Sequence, residues 1–341
     1  MESSIDFQTL KPLSLSIPTV SSQLNRWDYL GAIRMRWGIG RDRYTVAPGL
    51  YKVGIPTRES DVFVSANYKL SFDALRKNLD SLNAWILVID TKGINVWCAA
   101  GKGIFGTDNL VKSIKKVSLE MIVSHRTVIV PQLGATGVAA HTVKKQSGFR
   151  VVYGPVRAQD IKAFILSGYQ STPDMRKMMF PFRERAKLIP VDLIYGKYKL
   201  LITISVLIFF SGLDRSGFLF GKMLETSLFP LLNIVAAYLA GIGIAPLLLP
   251  WVPFRAFALK GAFWAIIITL VLNMFFNVPL IESIALGFIN ISLASFMTMN
   301  FTGSSTYTSL SGVKKEMKWA IPFQIAFAAV GLLLFIISKL V

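Results

Sequence analysis

The chain is short of the residues that most often hold metals or break bonds: it has one cysteine and two histidines in 341 residues. One cysteine excludes an internal disulfide. It also excludes a zinc or iron–sulfur cluster built by this chain alone. A lone cysteine is either a small buried hydrophobe or a reactive thiol. Charge is scarce as well, at 16% of residues against 53% hydrophobic, and acidic groups are the scarcer sign, 19 against 37 basic ones. A basic excess raises nucleic acid as a partner. No basic cluster is interleaved with aromatics in the manner of a single-strand groove, and basic residues beside a membrane meet anionic headgroups, so no nucleic acid is expected. Residues 1–30 have no apolar core run, so no signal peptide is read there.

What is present divides in two. Residues 1–199 hold 29 of the Lys and Arg and 15 of the Asp and Glu. Residues 200–341 hold five long apolar stretches, about 200–213, 228–249, 261–276, 279–299 and 320–338. A spanning helix needs roughly 20 apolar residues, which the first reaches only if Leu193, Ile194, Tyr195 and Tyr198 extend it. Five such runs leave no polar faces, which argues against a soluble helical core and for an all-α transmembrane domain of five helices. Asn277-Val278-Pro279 turns the third run into the fourth. Arg183, Arg185, Lys187, Lys197, Lys199, Arg255, Lys260, Lys314, Lys315 and Lys318 fall on one side of these spans. Only Arg215, Lys222 and Lys339 fall on the other. The expectation is a multi-pass protein in contact with membrane lipid in the cytoplasmic (inner) membrane, its front half in the cytoplasm. Glu282, close to Pro279, reads as reaching the interface, and the segment as an anchor. Its soft donors are methionines such as Met274, Met297 and Met299, too few for metal transport.

In the front half, residues 1–46 read as an arm, 47–170 as a folded domain and 171–199 as a basic linker. The domain alternates strand-like and helix-like units. Strands are expected near 50–55, 61–65, 84–90, 127–130 and 149–153. Helices are expected near 71–81 (Ser71 as N-cap), 107–118 (Thr107 or Asp108 as cap), 137–146 and 157–168. Ala84–Asp90 is apolar up to its closing aspartate, as in a strand buried on both faces. This alternation predicts an α/β fold with a doubly wound, mostly parallel sheet. Ligands then bind beyond the carboxyl ends of the strands, which singles out three loops: Ser65 to Lys69, Thr91 to Gly106 and Pro131 to Gly137.

The middle loop holds Asn95-Val96-Trp97-Cys98-Ala99-Ala100-Gly101-Lys102-Gly103. Asn95 can cap a short helix with Cys98 at its third position, and the positive end of a helix favours a thiolate. Ala99, Ala100 and Gly101 are small enough for a large flat ligand to lie against the backbone, and a thiolate suits a soft transition metal. A phosphate loop is excluded, because Val96 stands where its first glycine belongs and Gly103 where Ser or Thr belongs. A cysteine hydrolase needs a histidine, and neither His125 nor His141 is an obvious partner. A purely structural cysteine, in a membrane protein with no cofactor, stays open on spacing alone.

Asn95 to Lys102 resembles the cap-helix motif of the corrinoid proteins of the mercury-methylating pair, the HgcA family. Pro48-Gly49-Leu50-Tyr51, Ser65 to Asp73, Pro131 to Val138, Ser147-Gly148-Phe149 and Tyr153 to Arg157 are similar to that family and to the corrinoid subunit of the acetyl-CoA-pathway iron–sulfur protein. The resemblance covers about residues 45–170, and the apolar tail fits the mercury-methylation family. The chain lacks the iron–sulfur cysteines of the acetyl-CoA-pathway relative.

The resemblance implies a corrinoid (cobalamin) bound base-off, with Cys98 as lower axial cobalt ligand and catalytic residue. His141 lacks the Asp and Gly of a histidine-ligating corrinoid motif. Ser65, Asn67 and the run Asn95, Val96, Trp97, Cys98, Ala99, Ala100, Gly101 and Lys102 would contact the cofactor or place the cap helix, with Trp97 serving equally as packing. Ser65 would bond the cap or the corrin rim. Gly134, Ala135, Thr136 and Gly137 would admit the nucleotide tail, or form an ordinary turn. The implied activity is methyl transfer to Hg(II), the thiolate favouring departure of the methyl as a carbanion equivalent. Implied partners are a ferredoxin-like protein with iron–sulfur clusters, donating electrons and potentially Hg(II), and a methyl-folate donor. The alternative activity is a corrinoid methyl carrier for a non-mercury acceptor.

Overall fold

The computed structural model describes residues 17–301 and 310–341. They form two compact units: residues up to Met35 with Gly40–Met178, and Arg36–Ile39 with Met179–Val341.

The first unit is a six-stranded α/β sheet. Its strands are β1 (Thr19–Val20), β2 (Gly49–Val53), β3 (Val62–Ala66), β4 (Ala84–Ile89), β5 (Thr127–Val130) and β6 (Arg150–Tyr153), in the order β1-β2-β4-β3-β5-β6. All pairings are parallel except β2 with β4. The helices are α1 (Arg26–Arg36), α2 (Lys69–Asn78), α3 (Val96–Gly101), α4 (Thr107–Lys116), α5 (Leu119–Ile122), α6 (Ala140–Ser147) and α7 (Ile161–Leu166).

Every residue of β4 is buried, and its period-two alternation divides the core. Trp85, Leu87 and Ile89 join one cluster with Val96, Ala99 and Ala100 of α3, Leu110 and Ile114 of α4, and Val143 of α6. Ala84, Ile86 and Val88 join the other with Phe72 and Leu75 of α2 and Phe164 of α7. A strand apolar on both faces therefore sits between two helical layers, as its unbroken apolar run requires. The crossover after β3 leads to β4 on one side and that after β5 leads to β6 on the other. The carboxyl ends of β3 and β5 thus form a switch point, where open α/β sheets place ligands.

Three local readings differ from the sequence expectation. α2 starts at Lys69 behind Tyr68, leaving Ser71 inside the helix. α4 is preceded by Gly106 with no side-chain cap; Thr107 is diverted to another bond, described below. The expected arm contains β1 and α1. α1 is fixed by a buried charge cluster: Lys69 lies 2.7 Å from both Asp28 and Asp73, and Arg76 lies 2.8 Å from Asp28 and 2.7 Å from Asp73. Arg76 also donates to the Ser21 carbonyl at 2.6 Å.

The second unit contains α8 (Phe182–Ala186), α9 (Ile189–Ser211), α10 (Phe220–Thr226), α11 (Leu228–Leu239), α12 (Ala245–Leu247), α13 (Phe257–Phe275), α14 (Leu280–Asn300) and α15 (Leu310–Leu340). Among the described residues, five stretches are long and apolar enough to cross a membrane: Phe182–Ser211, Leu228–Leu247, Phe257–Phe275, Leu280–Asn300 and Ser311–Leu340. The first absorbs Leu193 to Tyr198 and much of the expected basic linker. Small residues set the packing. A side chain on Gly241 or Gly261 would collide with the Ala294 backbone, the close approach by which membrane helices associate. Glu282 does not simply reach an interface: it is buried and paired with Lys339 at 2.7 Å.

Burial alone pushes the Asp28 carboxyl up, but hydrogen bonds from Lys69, the Asn25 backbone and Arg76 outweigh it and hold the group at about 2, below the ordinary 3.8. A lowered native value contributes stability that is present above the unfolded value and is lost as pH falls through the native one. Protection factors of the β4 amides, corrected for the slower intrinsic exchange in acid, should therefore fall between about pH 4 and pH 2. Asp28→Asn should flatten that response and destabilise the unit at neutral pH by ~3 kcal/mol, the cost of leaving buried Arg76 and half-buried Lys69 short of a partner.

Candidate functional site

The loops after β3, β4 and β5 leave the sheet at the same rim and are bonded to one another. Asn67, buried directly after β3, makes the first connection. Its Oδ1 accepts from the Thr91 backbone N–H at 3.0 Å, the Thr91 hydroxyl at 2.8 Å and the Gly93 N–H at 3.0 Å. Its Nδ2 donates to Asp90 Oδ1 at 3.2 Å. The Thr91 hydroxyl also lies 2.6 Å from the Ile94 carbonyl, so its single proton serves one acceptor at a time. Lys92 adopts the left-handed conformation and so does Gly93, which reverses the chain and delivers Asn95 to the start of α3.

Asn95 caps α3: its side-chain oxygen accepts from the Cys98 N–H at 2.9 Å. Cys98 is the third residue of the helix, half-buried, with a free thiol. Val96, Ala99 and Ala100 turn into the core, while Trp97 (42% exposed), Gly101 and Lys102 face out. A ligand over α3 would meet Trp97, Cys98, Gly101 and Lys102. The small size of Ala99 and Ala100 serves the helix's packing on the sheet.

The β5 loop supports α3 from beneath. A Cβ on Gly137 would collide with the Phe105 carbonyl and stand 3.2 Å from the Ala100 backbone, and one on Gly134 would meet the Phe105 ring at 2.5 Å. Here glycine is required by protein packing. Ala135 and Thr136 continue the turn between them. Thr107, the expected cap, ties this loop to α4. Its N–H donates to the Gly137 carbonyl at 3.1 Å, and its hydroxyl accepts from the Ala139 N–H at 2.8 Å. Ser65 is buried in β3 and donates to the Ala66 carbonyl at 3.2 Å.

The histidines lie apart from this arrangement. His125 precedes β5 and bonds the Ser60 carbonyl ahead of β3, at the amino ends of strands whose carboxyl ends carry the rim. His141 is exposed in the first turn of α6. Among the described residues, no group of three or more His, Cys, Asp or Glu could hold a metal ion. Cys98 is therefore the soft donor at the rim. Sequence reading missed Asp90, Thr91, Phe105 and Thr107 as supports. The one available signal was polar residues directly after a continuously apolar strand.

Residues 20–165 match the family model described as CO dehydrogenase/acetyl-CoA synthase delta subunit (CdhD). The N-terminal part is a distant relative of that family. It is 29% identical over 127 residues to the acetyl-CoA decarbonylase/synthase complex subunit gamma of Methanopyrus kandleri, covering 37% of this chain and 27% of that protein. It is 29% identical over 117 residues to the corrinoid/iron-sulfur protein large subunit of Moorella thermoacetica, covering 34% and 26%. It is 33% identical over 111 residues to the gamma 2 subunit of Methanosarcina thermophila, covering 31% and 23%. The matched region thus spans less than a third of each of these relatives, and the family match ends before the long apolar helices begin.

Gly137→Ala should displace α3 by forcing Phe105 and Ala100 away, at a cost of about 1–3 kcal/mol. The expected readout is faster amide exchange across residues 96–101 and faster alkylation of Cys98. Unchanged rates in a folded variant would show that α3 does not rest on this loop.

Proposed function

We propose that the first unit binds a corrinoid against the outward side of α3 and that the protein transfers a methyl group to Hg(II), giving methylmercury. The observation that supports this reading most is the placement of Cys98. The chain's single thiol stands on a capped, outward-facing helix beyond the carboxyl ends of the sheet, at the switch point where such folds bind ligands.

The residues present fit the group. A sulfur donor suits a soft transition metal, Cys98 is half-buried beside exposed Gly101, which brings no side chain, and no histidine stands with it at the rim. A corrinoid, when bound, supplies a cobalt centre that takes up and gives up a methyl group. Cys98 would supply the thiolate that holds the cobalt. Asn95, by fixing the Cys98 N–H, orients that residue. Trp97 and Lys102 flank the thiol on the exposed side and would border the ligand. Asn67 holds the loop from which α3 starts. Ser65, bonded within β3, supports the rim from beneath.

The chain has no cysteines for a redox cluster, so we assign re-reduction to a separate low-potential, ferredoxin-like protein with iron–sulfur clusters, whose thiols would also present Hg(II). A methyl-folate pathway would supply the methyl group. The protein would be anchored in the cytoplasmic membrane by its five apolar helices, with the first unit on the cytoplasmic side.

A second reading is favoured by the relatives, which are subunits of acetyl-CoA decarbonylase/synthase complexes and a corrinoid/iron-sulfur protein. In this reading the unit carries methyl groups to a non-mercury acceptor. A single-turnover experiment separates the two. The full-length protein is loaded anaerobically with methylcobalamin, a Hg(II)–thiolate complex is added, and methylmercury is quantified. We expect transfer well above free methylcobalamin, lost in Cys98→Ala. Bound corrinoid with only background transfer would favour the carrier. Failure to retain any corrinoid would overturn both.

A further inference from the structure

α1 is built the opposite way round from a helix on a water-facing surface. Its carboxylate points inward: Asp28 is buried and neutralised by Lys69 and Arg76. Met35 is buried with it, two turns on, and between them a side chain at Gly31 would run into the Tyr44 ring. The large apolar groups point outward. Trp27 is 67% exposed, Leu30 48% and Ile33 54%, with Tyr29 beside them, and the turn after the helix exposes Trp37 and Ile39. Arg26 and Arg34 are exposed on the same helix, and the Arg26 guanidinium lies over the Trp27 ring, 5.3 Å from its centroid. Arg36, Arg41 and Arg43 follow in sequence. Residues 26–43 hold five arginines against two aspartates, Asp42 and the buried Asp28. A soluble surface helix normally turns its apolar stripe to the core and its charge to water. Here a core-facing ion cluster leaves an aromatic, aliphatic and cationic face uncovered.

We propose that this outward face of α1 is an interfacial lipid-binding surface that takes anionic phospholipid headgroups. Three observations favour lipid over a protein partner. Trp and Tyr, with an apolar body and a polar edge, are the residues that settle at headgroup level. Arginines flanking an exposed apolar stripe match the phosphates of an anionic leaflet, and the pattern is that of helices lying in the plane of a bilayer surface. The same chain contains five helices long and apolar enough to cross a membrane, so a lipid surface is tethered to α1 at high effective concentration. This inference stands apart from the corrinoid reading, since none of the outward-facing residues of α1 belongs to the rim.

The test uses the full-length protein in lipid nanodiscs. A spin label is placed at Leu30→Cys in a Cys98→Ala background, with Met121→Cys, exposed elsewhere on the first unit, as the reference. Collision with oxygen is compared with collision with a water-soluble nickel chelate. In discs containing phosphatidylglycerol, the label at position 30 should favour oxygen and that at 121 should favour nickel. In pure phosphatidylcholine, or with Arg26→Glu and Arg34→Glu, the label at position 30 should revert toward nickel. A position-30 label that favours nickel in both lipids would overturn the proposal. So would one shielded from both reagents, which indicates cover by protein, a second copy included. Hydrogen exchange of α1 in the charge-reversed variant confirms that the helix is still formed.

Discussion

The carboxamide of Asn67 fixes the geometry of the whole rim. One side-chain oxygen gathers three donors from the next loop, and the nitrogen reaches a fourth group there. Without it, the buried Thr91 N–H and hydroxyl would need other partners, at a cost of about 1–3 kcal/mol for each buried group left unpaired, and the half-buried Gly93 N–H would turn to solvent. With it, the chain leaving β4 reverses through Lys92 and Gly93 and begins α3 at a single place. A helix of six residues has little stability of its own. Its position depends on this amide above, on Asn95 at its first turn, and on the Phe105–Gly137 contact beneath.

The strongest parts of the fold were legible because their signals are local and redundant. A six-residue apolar run, too short for a typical helix and closed by Asp90, reads as a strand covered on both faces, and alternation with helices leaves few topologies besides a doubly wound sheet. The cap on α3 was equally readable, since Asn one residue ahead of a helix acts through its own backbone neighbours. α1 was not readable. Its inward face consists of an aspartate, a glycine, an alanine and a methionine, and Asp28 becomes a core residue only because Lys69 and Arg76, more than forty positions away, are folded against it. Ser71 and Thr107 misled for a related reason: each is a good cap by type, but the backbone put Tyr68 and Gly106 at the boundary. The glycines of the β5 loop announced close approach correctly, and only the structure names Phe105 and Ala100 as what approaches.

The helical unit follows different physics. Apolar surface gives little drive for helices to associate in lipid, so small residues and polar side chains decide the packing. Gly241 and Gly261 let their helices meet the Ala294 backbone. Asn290 donates to Asn233 at 3.0 Å and to Thr269 at 2.8 Å, joining three helices through buried side chains. Glu282 and Lys339 pair the start of α14 with the end of α15. These devices specify one arrangement of the bundle more than they add to its strength.

The solitary state of Cys98 has a chemical consequence. A cysteine oxidised to a sulfenic acid is ordinarily protected when a neighbouring thiol condenses with it to a disulfide. This chain has no second thiol, so the first oxidation at the rim has no internal repair and the next steps are irreversible. On the proposed function, oxygen and peroxide would thus attack this protein at its cobalt ligand, and its working life would be tied to surroundings poor in oxidants or to an external thiol that can reach α3.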